Sequence, residues 1–314
     1  MTKLACPRET YGKYLVQVAA KDERIVALDA DLSGSTMSCL LRQEFPQRHF
    51  EMGIAEQNMV AVAAGLSFSG KIPFVHSFSI FLTGRAFEQV RQSVALANAN
   101  VKLVGSSYGF SDFGDGATHQ ALEDVAVMRV LPNLTVLVPM DAKEVEEAVD
   151  LALKIDGPVY IRISRSPMES LRKEQPGSSL LAPSLMAEGK DLVVFANGLM
   201  TKTALEAREI LAQEGISIRV VNVSCVKPLA EESIRRLAAD VQGVITVEEH
   251  SVIGGLGSAV LEALALTPKP TCLIGVQDTF GQSAQSHEEL LEHYGLTKEA
   301  ICERARFLMG RGQK

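Results

Sequence analysis

Short apolar runs alternate with stretches of helical spacing along most of the chain. Ile25–Leu28, Ile72–Val75, Val101–Val104, Thr135–Val138 and Val159–Ile163 are each continuous or nearly so in apolar character. Runs of that length, bounded by polar loops, predict strands buried on both faces, as in a parallel sheet. Between them, Arg8–Ala20 places Tyr14, Leu15 and Val18 on one side of a helix. Further helices are predicted from about Arg85 to Ala97, from Ala121 to Leu131 ahead of Pro132, and over Ala142–Lys154. The repeated strand–loop–helix unit predicts a doubly wound sheet. Periodicity fades between Ser166 and Gly189, where Pro167, Pro176-Gly177-Ser178-Ser179 and Pro183 mark a linker. A second α/β unit follows. Its predicted strands are Leu192–Ala196, Ile218–Val223, Val244–Val247 and Cys272–Ile274. Its predicted helices are Thr201–Gln213, Glu231–Ala239, Gly257–Leu264 and a final Lys298–Leu308. The expected fold is therefore α/β with two doubly wound, mostly parallel-sheet domains, residues 1–167 and 189–314, joined by a linker at 168–188.

Four polar or aromatic features interrupt this pattern. In Glu51–Leu66 a turn at Gly53 leads into the apolar segment Val60-Ala61-Val62-Ala63-Ala64, which has no solvated stripe and predicts a helix buried all round, with small residues suited to a tight subunit contact. Glu56 sits at its start. A buried carboxylate there is a candidate shared-proton site; equally, an acid in a first turn favours the helix dipole. Asp29-Ala30-Asp31-Leu32-Ser33-Gly34-Ser35-Thr36 follows a strand, where parallel sheets place ligands and where serine or aspartate also caps helices. Phe78 and Phe81 form an aromatic wall or simply core. The long loop Gly105–Gln120 carries four glycines and brings together Asp115 and His119, an acceptor and a titratable group. Gly254-Gly255-Leu256-Gly257 lacks phosphate-loop spacing and reads as a tight turn.

Composition narrows the class. Of 314 residues, 46% are hydrophobic and 22% charged, enough for two substantial cores. The formal net charge of −7 argues against general binding to nucleic acid or acidic membranes. The five cysteines are scattered, so neither a zinc site nor a disulfide framework is indicated. No N-terminal apolar core and no run near the roughly 18 residues of a membrane span is present, and a cytoplasmic location is expected.

Five motifs, in order, are similar to the C-terminal half of transketolase: Leu28-Asp29-Ala30-Asp31-Leu32-Ser33-Gly34-Ser35, Gly53-Ile54-Ala55-Glu56-Gln57-Asn58-Met59, Gly114-Asp115-Gly116-Ala117-Thr118-His119-Gln120, Gly157-Pro158-Val159-Tyr160-Ile161-Arg162 and Glu248-Glu249-His250-Ser251. The resemblance runs from about Arg8 to the last helix, and within the family it points to the split form encoded as two chains. It implies a pyrimidine-binding domain and a transketolase C-terminal domain, with thiamine diphosphate as cofactor. Glu56 then matches the glutamate that bonds the aminopyrimidine ring nitrogen and favours the imino tautomer that deprotonates the thiazolium carbon. Phe81 matches the aromatic stacked on the pyrimidine, with Phe78 beside it, and Asp31 an aspartate at the cofactor-side subunit contact. His119 matches the histidine near the reacting centre and Asp115 the aspartate that reads a substrate hydroxyl. Arg8, Ser35 and Arg165 match groups holding the sugar phosphate, for which a guanidinium fork is suited.

The family's diphosphate and metal motif, Gly-Asp-Gly with an Asn farther on, is missing. Gly114-Asp115-Gly116 looks like it, but Asn133 is too near and Thr118-His119-Gln120 marks the sugar loop. The resemblance therefore implies no metal ligand in this chain. It implies a partner chain that carries the diphosphate-binding domain and the Mg2+ (or Ca2+), in an assembly with two copies of each. Ser107 departs from the family, which usually has a histidine there, and points to a sugar phosphate outside the usual pentose-phosphate set or to a partner residue that replaces the donor. Two rivals remain: the beta subunit of a 2-oxo-acid dehydrogenase, and a non-catalytic regulatory homologue.

Overall fold

The computed structural model describes residues 4–171 and 179–310. Part of the expected linker, including Pro176-Gly177-Ser178, lies outside the described residues.

The strands in chain order are β1 (Leu4–Ala5), β2 (Ile25–Asp29), β3 (His49–Glu51), β4 (Ile72–Phe78), β5 (Lys102–Ser106), β6 (Thr135–Leu137), β7 (Val159–Ile163), β8 (Met168–Glu169), β9 (Ser184–Ala187), β10 (Leu192–Ala196), β11 (Ile218–Asn222), β12 (Cys225–Lys227), β13 (Gly243–Ser251) and β14 (Thr271–Val276). The first large sheet has the order β12-β6-β7-β5-β4-β2-β3 and the second β14-β13-β10-β11-β9. All pairings are parallel except those of β12 with β6 and β9 with β11. β1 and β8 form a separate antiparallel pair. The expected fold class is thus the observed one: two α/β units with parallel-dominated sheets.

Strands β2, β5 and β7 are buried along their whole length, which explains why they read as continuous apolar runs. Helices cover both faces. The Ala142–Lys154 helix buries Ala142, Val145, Ala148, Val149 and Ala152 at helical spacing, and the Asp141 side chain caps it by accepting from the Glu144 N–H. The Lys298–Leu308 helix is capped in the same way by Thr297. Each sheet separates two apolar clusters.

Several elements differ from expectation. The Glu56–Phe68 helix is not buried all round. It buries Glu56, Met59, Val60, Ala63 and Ala64, while Ala61, Val62 and Gly65 are exposed and Phe68 is 66% exposed. An apolar outer face hides the amphipathic signal, because hydropathy cannot separate core from an uncovered apolar surface. The helix expected at about 85–97 begins at Phe81 and winds with wide π turns over Phe81–Arg85 and Val90–Ala95. The next starts only at Asp124. β13 runs beyond Val247 through the Glu248-Glu249-His250-Ser251 motif. The short strands β3, β9 and β12 and the His287–His293 helix carry no clear periodic signal. β12 matters most: it comes from the second half of the chain, yet it is an edge strand of the first sheet. The two units therefore share a sheet.

Candidate active site

The site forms where β2, β4 and β5 end, at the carboxyl edge of the first sheet. β2 delivers Asp29. Its buried carboxylate accepts from the Leu32 N–H at 2.6 Å, the Thr36 hydroxyl at 2.7 Å and the Ser38 hydroxyl at 2.8 Å. Burial raises the Asp29 pKa; those hydrogen bonds oppose it. They fix the turn Ser33–Thr36 and with it Ser35. Asp31 sits in a left-handed conformation, φ 62°, and its N–H donates to Glu51 at 2.8 Å. Beneath the turn, the Tyr11 hydroxyl donates to His76 Nε2 at 2.5 Å, and His76 Nδ1 donates to the Leu28 carbonyl at 3.0 Å. Burial drives the His76 pKa down to about 3, so the ring is neutral and acts as a structural clamp between the Pro7–Ala19 helix and β4. That clamp holds the first turn of the helix, from which Arg8 Nη1 donates to the Ser35 carbonyl at 3.0 Å.

The turn at Gly53, φ 66°, redirects the chain so that Glu56 opens its helix. The Glu56 side chain is 1% exposed; one oxygen accepts from Arg85 Nη1 at 2.7 Å. The other, Oε2, is buried with no partner. The Arg85 guanidinium also lies 4.4 Å over the Phe81 ring. Phe81 stacks on Phe78 at 5.8 Å, and His119 meets Phe81 edge-on at 5.2 Å. The Thr118 hydroxyl lies 2.9 Å from His119 Nδ1. Asp31, Glu56, Phe81, Arg85 and His119 line one cavity of about 520 Å³.

Residues from three distant stretches thus converge as the motifs predict. Phe78 stands behind Phe81 and does not line the cavity. Arg8, Ser35, Asp115 and Arg165 lie outside that lining. Arg165 Nη1 donates to Asp112 at 2.9 Å, and Asp112 interacts electrostatically with both Asp115 and His119. Ser107 is fully buried in a left-handed conformation, φ 57°, and its hydroxyl has no partner.

Sequence reasoning missed two residues. Arg85 carries a signal only once Glu56 needs a cation and the next helix is known to start at Phe81. Asp112 carries none, being one polar residue in a glycine-rich loop.

A fold of this kind, with a buried glutamate facing an aromatic wall at the sheet's carboxyl edge, defines a thiamine-diphosphate-type pyrimidine-binding domain joined to a second α/β domain. Family models agree: "Transketolase, pyrimidine binding domain" matches residues 7–169 and "Transketolase, C-terminal domain" residues 184–301. The 6-deoxy-6-sulfo-D-fructose transketolase subunit of Clostridium sp. (strain MSTE9) is 44% identical, over 95% of this chain and 92% of that one. A subunit of the apulose-4-phosphate transketolase of Phocaeicola vulgatus is 37% identical, over 96% of both chains. A solved structure described as a split gene transketolase, inactive beta4 tetramer, superposes with a TM-score of 0.89 at 43% identity, covering 98% of this chain and 99% of that one. The chain belongs to the transketolase family, as a C-terminal subunit of its split form.

Proposed function

We propose that this chain is the C-terminal subunit of a two-chain, thiamine-diphosphate-dependent transketolase that moves a two-carbon ketol unit from a ketose phosphate to an aldose acceptor in the cytoplasm. It works only with an N-terminal partner subunit that holds the diphosphate and Mg2+ (or Ca2+), two copies of each chain forming the assembly. The observation that carries this reading is Glu56: a carboxylate with one oxygen held by Arg85 and the other buried without a partner, on a residue that lines one cavity with Phe81. Such an oxygen is costly unless a ligand donor reaches it, and a protonated aminopyrimidine nitrogen fits. Thiamine diphosphate, if bound there, would supply a carbon nucleophile.

The chain's own residues do the rest. Glu56 holds and shares a proton with the ring nitrogen, in a site dry enough to strengthen that bond. Phe81 fixes the plane of the ring, backed by Phe78. His119, held through Nδ1 by Thr118, would exchange a proton at the substrate oxygen. Asp115 reads a hydroxyl. Arg8 with Ser35, and Arg165, would hold the sugar's distal anion. The pentose-phosphate sugars are one possible set; the names of the two relatives, one of a sulfo sugar and one of apulose 4-phosphate, support a wider range for split forms.

The exposed apolar face of the Glu56–Phe68 helix, with Phe68 66% exposed and Ile54 just ahead of the helix 75% exposed, supports burial against another chain. The test is reconstitution. The single chain is expected to show no ketol transfer and no tight cofactor binding, and the partner plus magnesium to restore both. Robust turnover by the single chain would refute partner dependence. Turnover of 2-oxo acids in place of ketose phosphates would assign the chain to the 2-oxo-acid dehydrogenase beta subunits. No cofactor-dependent turnover with the correct partner would make it a regulatory homologue.

A further inference from the structure

Arg165 is the one cation of the proposed anion-binding set whose guanidinium is tied to a carboxylate. Its Nη1 donates to Asp112 Oδ1 at 2.9 Å, and Asp112 is 3% exposed. The second oxygen of Asp112 is buried without a donor. Its neighbour is Asp115, itself a carboxylate, so that oxygen is satisfied only when one of the two acids is protonated or when a ligand brings a donor. Arg165 is therefore paired with a buried acid, Asp112, that has a second acid, Asp115, beside it. Ser107 adds no charge nearby, since it is neutral and fully buried. Arg8, by contrast, donates to a neutral acceptor, the Ser35 carbonyl. A phosphate dianion gains from each bare cation and loses from each carboxylate that must stay ionised beside it.

We propose that Asp112 is a specificity-determining residue: it cancels the Arg165 charge and offers an acceptor, so that the enzyme prefers a phosphorylated sugar only weakly over one with a monoanionic or hydroxyl end. This rests on the reading of Arg165 as part of the sugar's distal site. It also separates two roles for Asp112 that predict opposite signs. If Asp112 only held Arg165 in place, removing its charge would weaken phosphate binding. If it competes for Arg165, removing its charge strengthens phosphate binding.

The experiment uses the assembled two-chain protein with thiamine diphosphate and magnesium. Calorimetry measures the affinity for ribose 5-phosphate and for ribose, and turnover with hydroxypyruvate as donor gives kcat and KM for each acceptor. Asp112→Asn is expected to raise the ratio of phosphorylated to unphosphorylated affinity about tenfold or more. The gain should fall in KM for ribose 5-phosphate. Asp112→Ser, which also removes the charge, should shift the ratio the same way and stands in if the asparagine variant fails to assemble. Asp112→Glu should keep the parent ratio. An unchanged or lower ratio in both neutral variants overturns the proposal. The affinity measurements decide this even if no ketol transfer is seen, an outcome that would count against the function proposed above and not against the role of Asp112.

Discussion

The second domain grips the Gly105–Gln120 loop through a buried carboxylate, and the strength of that grip can be measured. Glu249, near the end of β13, is 2% exposed. Its Oε1 accepts from the Phe110 N–H at 2.6 Å and from His287 Nε2 at 2.8 Å. Phe110 belongs to the Gly105–Gln120 loop, so one atom ties that loop to the His287–His293 helix. Glu249→Gln keeps the shape and removes the charge. Bonds to charged groups are worth roughly 1.5–3 kcal/mol against about 0.5–1.5 for neutral ones. Two such bonds weakened by about 1–2 kcal/mol each give a loss of about 2–4 kcal/mol. At roughly 2–4 °C per kcal/mol for a chain of this scale, Tm should fall by roughly 5–15 °C. Burial alone would lower the His287 pKa, but the charge and hydrogen bond of Glu249 outweigh it, so the net shift is upward. Folding then favours the protonated ring. Its contribution is fully present below about pH 6.5, the ordinary value, and is lost as pH rises through the raised folded value. Denaturant midpoints of parent and variant across pH 5–8 test both parts. The parent should lose stability over the upper part of that range, and the variant should lose this slope. A stability change below about 0.5 kcal/mol with identical pH profiles would show that the contact does not hold the domains together.

Glu56→Gln keeps the shape and cannot share the proton in the same way; with the assembly intact, turnover at saturating cofactor should fall at least about 100-fold. Gly109→Ala should destabilise the chain by about 3 kcal/mol or more, judged by its denaturant midpoint. Gly109 has φ 57°, and an added methyl there meets the Glu249 carboxylate. Ser107→His should cost about 1–3 kcal/mol and add no phosphate donor, because Ser107 has no solvent-facing surface. A stable histidine variant with a lower KM for phosphorylated sugars would show that the position does reach the substrate.

The sequence made the strands that are buried on both faces legible, because each is a short apolar run between polar loops, and it made the family motifs legible because their spacing follows strand ends. Asp31, Glu56 and His119 fall on such motifs, and the fold brings them together with Phe81 around one cavity. What stayed hidden depends on contacts between distant segments. Arg85 becomes informative only once the wide-turned segment from Phe81 places it over the ring and against Glu56. Asp112 gains meaning only from Arg165, 53 residues away. Ser107 shows the converse: its place where the family has a histidine suggested a role in substrate choice, but its side chain is fully buried on a left-handed backbone. β12 was missed because three residues cannot display a period, and its partner β6 lies in the other half of the chain.

These hidden contacts give the second domain a physical role. Arg162, fully buried on β7, is bonded to Asp124 through Nε at 2.7 Å and Nη2 at 2.8 Å, and Nη2 also donates to the Glu249 carbonyl at 3.0 Å. Its guanidinium lies 3.9 Å over the ring of Tyr108 in the Gly105–Gln120 loop. Gln120, at the far end of that loop, donates to the Gln282 carbonyl of the second domain at 2.9 Å. The loop that carries Asp112, Asp115 and His119 is therefore fastened near both ends to the C-terminal domain, at Phe110 and at Gln120. Loosening either end leaves the motif residues in the sequence but frees the geometry that makes them a site. A loop of this length with four glycines has high conformational entropy when unpinned. The buried charges of Glu249 and Arg162 tolerate few alternative positions, because each displaced bond would strand a desolvated ion. Positioning the loop is thus work for the C-terminal domain, and a pyrimidine-binding domain cut free of it would lack both these anchors and strand β12.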